Sequence, residues 1–171
     1  MQDIDSSNRQ LQGLALLLQI QRKARASEDI TALGFTMVNE TRALLSYRQA
    51  AVWISEPMSQ IPAVSGIALI EKNAPYIVWL KESAEVLSQF HPQAFLSFTA
   101  DDLPAHLAHV WNDWCAPFGL CLPLKANGRL IGSMLFFRET PWQDVEITLL
   151  QELLDAYAHA WLALQPPRLW W

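Results

Sequence analysis

Between Phe118 and Leu164 the chain changes its spacing of apolar residues halfway along. Gly119–Lys125 (GLCLPLK) and Arg129–Arg138 (RLIGSMLFFR) are dense in apolar residues, with Ala126-Asn127-Gly128 between them. Asn and Gly tolerate the positive φ that a tight turn between antiparallel strands needs, so the stretch predicts a β-hairpin. Thr140-Pro141 then opens a segment in which Val145, Leu149, Leu150, Leu153, Leu154, Tyr157 and Trp161 recur at helical spacing. The predicted order is hairpin, corner, long amphipathic helix.

The same reading applied upstream gives a helix over Asn8 to Arg25, with Leu11, Leu14 and Leu18 in a stripe broadened by Leu16, Leu17 and Ile20. Ser27 stands as the N-cap of a second helix running to about Leu45. Gln49 to Ser55 predicts a first strand and Pro62 or Ala63 to Ile70 a second. Asn73 and Pro75 open a helix that ends at His91-Pro92, because the residue before proline avoids helical angles. Ala94 to Phe98 predicts a short strand, and a further helix from Asp101 carries Leu107, Val110, Trp111 and Trp114. The whole order is α-α-β-β-α-β-α-β-β-α, an α+β fold with an antiparallel sheet sandwiched between helices and the two terminal helices packed together on one face.

The run from Cys121 to Leu164 resembles the C-terminal half of a GAF domain. The family's pattern is a Pro-Leu strand, a turn, an Ile-Gly strand and an acidic-flanked start to the last helix. Pro123-Leu124, Ile131-Gly132 and Asp144-Val145-Glu146 stand in those places. The resemblance implies a single domain over residues 1–164, with 165–171 as a tail. It also implies a regulatory role, since GAF domains bind cyclic nucleotides, haem, bilins or small metabolites, and many only dimerise.

Several of the family's chemistries lack their residues here. Covalent bilin attachment uses a Cys-His pair, whereas Cys115 precedes Ala116 and Cys121 precedes Leu122. The Asn-Lys motif of cyclic-nucleotide binders is reversed as Lys72-Asn73, and the Asp-Glu pair that follows it is missing. Cys115 lies roughly where free-methionine-sulfoxide reductases of this family place a reactive cysteine. The acidic residues that would hold the substrate's ammonium are replaced by Met134, Leu135, Phe136 and Phe137, and an unpaired buried ammonium costs several kcal/mol. His106 and His109 share one predicted helix face but fall short of the three or four ligands that zinc requires. No catalytic residue, metal site or cofactor is assigned from the sequence. What remains is aromatic: Trp53, Tyr76, Trp79, Phe98, Trp111, Phe118 and Phe136 are the predicted lining of an apolar ligand pocket.

The totals sharpen this in two respects. Apolar residues are 51% of the 171 and charged residues 17%, so apolar surface is left over for a partner. The surplus lies in the terminal helices. The last one has two apolar rows, Val145, Leu149, Leu153, Ala156 and Ala160 in one, and Leu150, Leu154, Tyr157, Trp161 and Leu164 in the other. Leu14, Leu17, Leu18, Leu150, Leu154, Tyr157 and Trp161 are therefore the predicted interface of a homodimer built as a four-helix bundle, with Ala158 and Ala160 allowing close approach. Net charge is −5 and no Lys/Arg cluster could neutralise phosphates, which excludes nucleic acid as a partner.

Two cysteines and no signal-peptide pattern suit a reducing, cytoplasmic setting. After the helix-stopping Gln165-Pro166-Pro167, the sequence Arg168-Leu169-Trp170-Trp171 has the character of a cytoplasmic approach to a membrane segment. Such a chain end is similar to the GAF region that precedes the first span in haemolysin-secretion-type membrane-fusion proteins (periplasmic adaptors). The resemblance thus implies a non-catalytic dimerisation domain of an inner-membrane-anchored secretion or transport protein. The alternative it implies is the small-molecule sensor of a histidine kinase or cyclase.

Overall fold

The computed structural model describes residues 2–90 and 96–166. Five strands, β1 (Gln49–Ile54), β2 (Gln60–Val64), β3 (Leu96–Phe98), β4 (Phe118–Ala126) and β5 (Arg129–Arg138), form one antiparallel sheet in the order β2-β1-β5-β4-β3. One face is covered by α1 (Gln2–Arg25), α2 (Ile30–Asn39) and α6 (Asp144–Ala163). The other is covered by α3 (Pro75–Phe90) and two single turns, α4 (Ala105–Ala108) and α5 (Trp111–Trp114). The hairpin is the frame: β4 and β5 pair from Phe118 with Arg138 to Ala126 with Arg129, around Asn127 and Gly128 at φ 55° and 73°. β1 then adds along β5, Gln49 opposite Phe137 and Ile54 opposite Gly132.

Several boundaries differ from the sequence reading. The second strand ends at Val64 rather than Ile70, because Gly66 at φ 76° turns the chain and Ile67 N–H bonds back to Val64 O. The second helix starts after Asp29, whose carboxylate accepts from Ala32 N–H at 2.8 Å, so the cap is Asp29 and not Ser27. The helix predicted from Asp101 is broken into a 3-10 turn (Ala100–Asp102), α4 and α5, with Pro104 between the first two. Ala94 and Phe95 lie outside the described residues, as do 167–171.

The terminal-helix layer is where the dimer prediction needs correction. Leu17, Leu150, Leu154, Tyr157 and Trp161 are buried within their own chain, in the core formed by α1, α2, α6 and the sheet. Apart from exposed Val145 at its start, both rows of α6 are buried or half-buried, because the helix lies in a trough between β4, α1 and α2 and its wide stripe meets three neighbours instead of two. Of the seven predicted interface residues, Leu14 and Leu18 remain exposed. The layer is pinned by polar contacts as well. Thr41 Oγ1 and Tyr157 OH are 2.7 Å apart in the interior, and Thr41 also donates to Met37 O. At the corner between β5 and α6, buried Arg138 forks onto Glu146 at 2.7 Å, donates to Thr140 O and Pro141 O, and lies 3.9 Å above the Trp142 ring. That guanidinium holds the Glu146 carboxyl below its usual range.

Candidate functional site

Alternation along the strands sends Ala51 and Trp53 of β1, Cys121 of β4 and Leu135 and Phe137 of β5 to the face opposite the terminal helices. There Trp79 from α3, Phe98 from β3, Trp111 from α5 and Phe137 from β5 meet. Trp111 stands edge-on to Phe98 at 5.2 Å, to Phe137 at 5.5 Å and to Trp79 at 5.6 Å between ring centroids. Phe137 is also 5.8 Å from Phe98 and 5.9 Å from Trp79. These are favourable aromatic geometries, and none of the four is more than 3% exposed. Their polar edges are satisfied: the Trp79 indole donates to Leu107 O at 2.9 Å and the Trp111 indole to Ala116 O at 2.8 Å. Gly119 makes room for the cluster, since the Phe98 ring occupies the space a side chain there would take.

Trp79, Phe98 and Trp111 are thus brought together as the sequence suggested, but as mutual filling. Trp53 shares the face, and its indole donates to Ser59 Oγ, whose hydroxyl is 2.6 Å from Glu85 Oε1. Tyr76 packs at the margin, stacked on Trp114 at 5.6 Å. Two predicted members belong elsewhere. Phe136 points to the terminal-helix layer, edge-on to Tyr47 at 5.3 Å, because β5 alternates and its neighbour Phe137 takes the other face. Phe118 has the parity of Leu120, Leu122 and Leu124, which also face that layer. Phe137 is the residue the sequence reading missed; in Leu135-Phe136-Phe137 either phenylalanine could face inward, and the register alone decides. Two hydroxyls are buried on this side: Ser133 Oγ, which faces the Cys121 thiol, and Ser83 Oγ, which has no hydrogen-bond partner among the described residues.

The profile of the GAF domain family matches residues 29–161. The chain belongs to that family. No curated protein sequence matches it. Among solved structures, this GAF domain is similar to the one from an Acinetobacter phosphoenolpyruvate-protein phosphotransferase, with 12% identity, 88% of this chain and 92% of that chain covered, and a TM-score of 0.66. It is likewise similar to the GAF domain of the cyanobacteriochrome TePixJ, at 18% identity, 82% and 94% coverage and a TM-score of 0.60. A GAF domain/HD domain protein from Geobacter sulfurreducens matches at 18% identity, 80% and 92% coverage and 0.60. At these identities the likeness is one of fold.

The nucleophile candidates of this GAF domain are interior groups. Cys115 and Cys121 are both buried free thiols, and burial pushes them up to about 12 and about 11 respectively, so neither is a thiolate near neutral pH. Cys115 faces Tyr76 OH at 4.0 Å, and no acidic side chain lies in that contact. His106 and His109 are exposed on and beside α4, where His106 Nε2 reaches Glu82 at 3.3 Å. Among the described residues no three His, Cys, Asp or Glu side chains come together in a way that could hold a metal ion.

Proposed function

We propose that this GAF domain is a non-catalytic regulatory module that acts through self-association of its terminal-helix layer. The observation that carries the reading is the Trp79-Phe98-Trp111-Phe137 cluster. Space that a pocket of the predicted kind would leave for a ligand is filled by four side chains, and the two thiols beside it are buried and protonated. What an incoming molecule could still use on that face is small: the Ser83 hydroxyl, costing about 1 to 3 kcal/mol while unsatisfied, would favour a compact polar atom or a water. The test is a thermal-shift panel of cyclic nucleotides, haem and biliverdin with an assay on free methionine sulfoxide and a thiol reductant. The expected result is no shift and no turnover. Turnover abolished by Cys115→Ser overturns the non-catalytic reading.

The finer setting, a cytoplasmic domain of a membrane-anchored secretion or transport protein, draws its support from the sequence Arg168-Leu169-Trp170-Trp171. No helix of the described residues is long and apolar enough to cross a membrane. An apolar run of about 20 residues following Trp171 in the gene supports the setting. A helical linker into a kinase or cyclase overturns it in favour of a sensor.

A further inference from the structure

On the terminal-helix side of the sheet, across from the aromatic cluster, a cavity of about 540 Å³ opens where β1 ends, β5 begins and α6 runs out. That volume lies in the range of small-molecule sites. Ile54, Ile131, Trp161 and Leu162 supply its apolar walls. The two strand ends are tied together beside it: Ser55 N–H and Ser55 Oγ both donate to Ile131 O, at 3.0 and 3.2 Å.

Two opposite charges line the same cavity. Glu56, in the link from β1 to β2, accepts from Arg129 at the start of β5, and both side chains are exposed. An exposed ion pair contributes little to stability, so opening it to admit a ligand costs little. The C-terminal end of α6 adds a third contribution, because its peptide dipole is negative there and its last turn carries no basic residue. Leu164 N–H and Gln165 N–H turn back onto Trp161 O and Leu162 O at 3.2 and 3.1 Å, which holds that end beside the cavity. The apolar walls are thus joined to a cationic pole at Arg129 and an anionic pole at Glu56 and the helix end.

This arrangement selects a ligand by charge. A lone carboxylate is drawn to Arg129 and repelled by Glu56, and a lone amine meets the reverse. A molecule whose carboxylate and ammonium stand side by side satisfies both members of the pair, and the walls require an apolar body attached to them. We infer that the cavity binds a free α-amino acid with a large apolar side chain. Its carboxylate lies on Arg129, its ammonium between Glu56 and the end of α6, and its side chain against Trp161 and Leu162. The site goes beyond the self-association proposed above and does not depend on it. Because α6 ends there, occupancy restrains the last turn of that helix.

Isothermal titration calorimetry with three related molecules tests the charge requirement: L-phenylalanine carries both charges, 3-phenylpropionate the negative one and phenethylamine the positive one. L-phenylalanine should bind saturably and each analogue about tenfold more weakly or worse. Glycine, with both charges and no apolar body, should not bind. Glu56→Gln and Arg129→Met, at exposed positions, should each weaken L-phenylalanine by about tenfold or more with an unchanged melting temperature. Bound L-phenylalanine should also slow hydrogen exchange of the Leu164 and Gln165 amides. Absence of saturable L-phenylalanine binding at millimolar concentration overturns the site, and so does an analogue that binds equally well. Binding that survives both substitutions, or that protects amides elsewhere and not these, places the ligand outside this cavity and overturns it too. Should one variant lose its fold, the other and the exchange map decide.

Discussion

Phe98 lies across Gly119 where β3 and β4 pair, and a Cβ on Gly119 would stand 2.6 Å from Phe98 Cζ. The aromatic cluster thus depends on one missing methyl group. Gly119→Ala should push Phe98 against Trp111 and destabilise by about 1 to 3 kcal/mol through overpacking. Urea unfolding checks the magnitude, and near-UV circular dichroism checks that the tryptophans have moved. An unchanged midpoint and spectrum would mean that the ring has room to swing aside.

Gly132 is a harsher case of the same kind. A Cβ there would lie 1.9 Å from Trp53 O, and a strand carbonyl cannot rotate away as a ring can. Gly132→Ala should cost more than Gly119→Ala, beyond about 3 kcal/mol, by separating β5 from β1. Comparing soluble yield and melting temperature of the two variants tests the order.

The buried thiols make stability fall in alkali. A folded-state pKa raised from 9.0 to about 12 for Cys115 and about 11 for Cys121 means that, above pH 9, the unfolded chain releases protons the folded chain keeps. Stability is therefore unaffected by these groups below pH 9 and declines above it. Above pH 10, Tyr47, Tyr76 and Tyr157, whose hydroxyls burial also pushes up, should steepen the decline. Urea midpoints between pH 8 and 10.5 should show a decline that Cys121→Ala makes shallower; a flat profile would contradict the burial of both thiols.

Glu146 acts at the opposite end of the pH scale. Its carboxyl is held down chiefly by the Arg138 hydrogen bonds, so its contribution is present above the ordinary value of 4.5 and is lost as pH falls below it. Glu146→Gln should cost about 1 to 3 kcal/mol at pH 7, because Arg138 stays buried with only carbonyl partners on that side. The variant should also lose part of the acid dependence, which melting curves at pH 7 and pH 4 would reveal.

Trp161→Glu and Leu17→Glu should unfold the protein and not merely separate subunits, since both side chains are inside the single chain. A folded monomer from either would restore the bundle that the two rows of α6 suggest. The contrast shows what the sequence made legible. Element order, the hairpin and its Asn127-Gly128 turn follow from local spacing and turn chemistry, so they could be read directly. The ligand face could be read as a set of aromatics, but not as a filled cluster, because packing of Trp79 against Trp111 joins residues 32 apart that only the sheet brings together. For Phe136 and Phe137 the limiting fact is strand parity, which local sequence leaves open. Surplus apolar surface was likewise visible as a quantity. Its location on α1 and not α6 depended on how many neighbours α6 meets.

Phe136 and Phe137 are joined by a single peptide bond, yet one packs against Tyr47 among the terminal helices and the other against Trp111 in the aromatic cluster. β5 is the central strand, hydrogen-bonded on both edges, so its backbone has little freedom to absorb a shift locally. Any rearrangement that displaces the Phe137 ring must therefore tilt the segment that carries Phe136. The sheet is in this sense a membrane between two compartments, and these adjacent rings are its rivet: a disturbance on the aromatic side has one residue to travel before it is felt by the layer that includes α1.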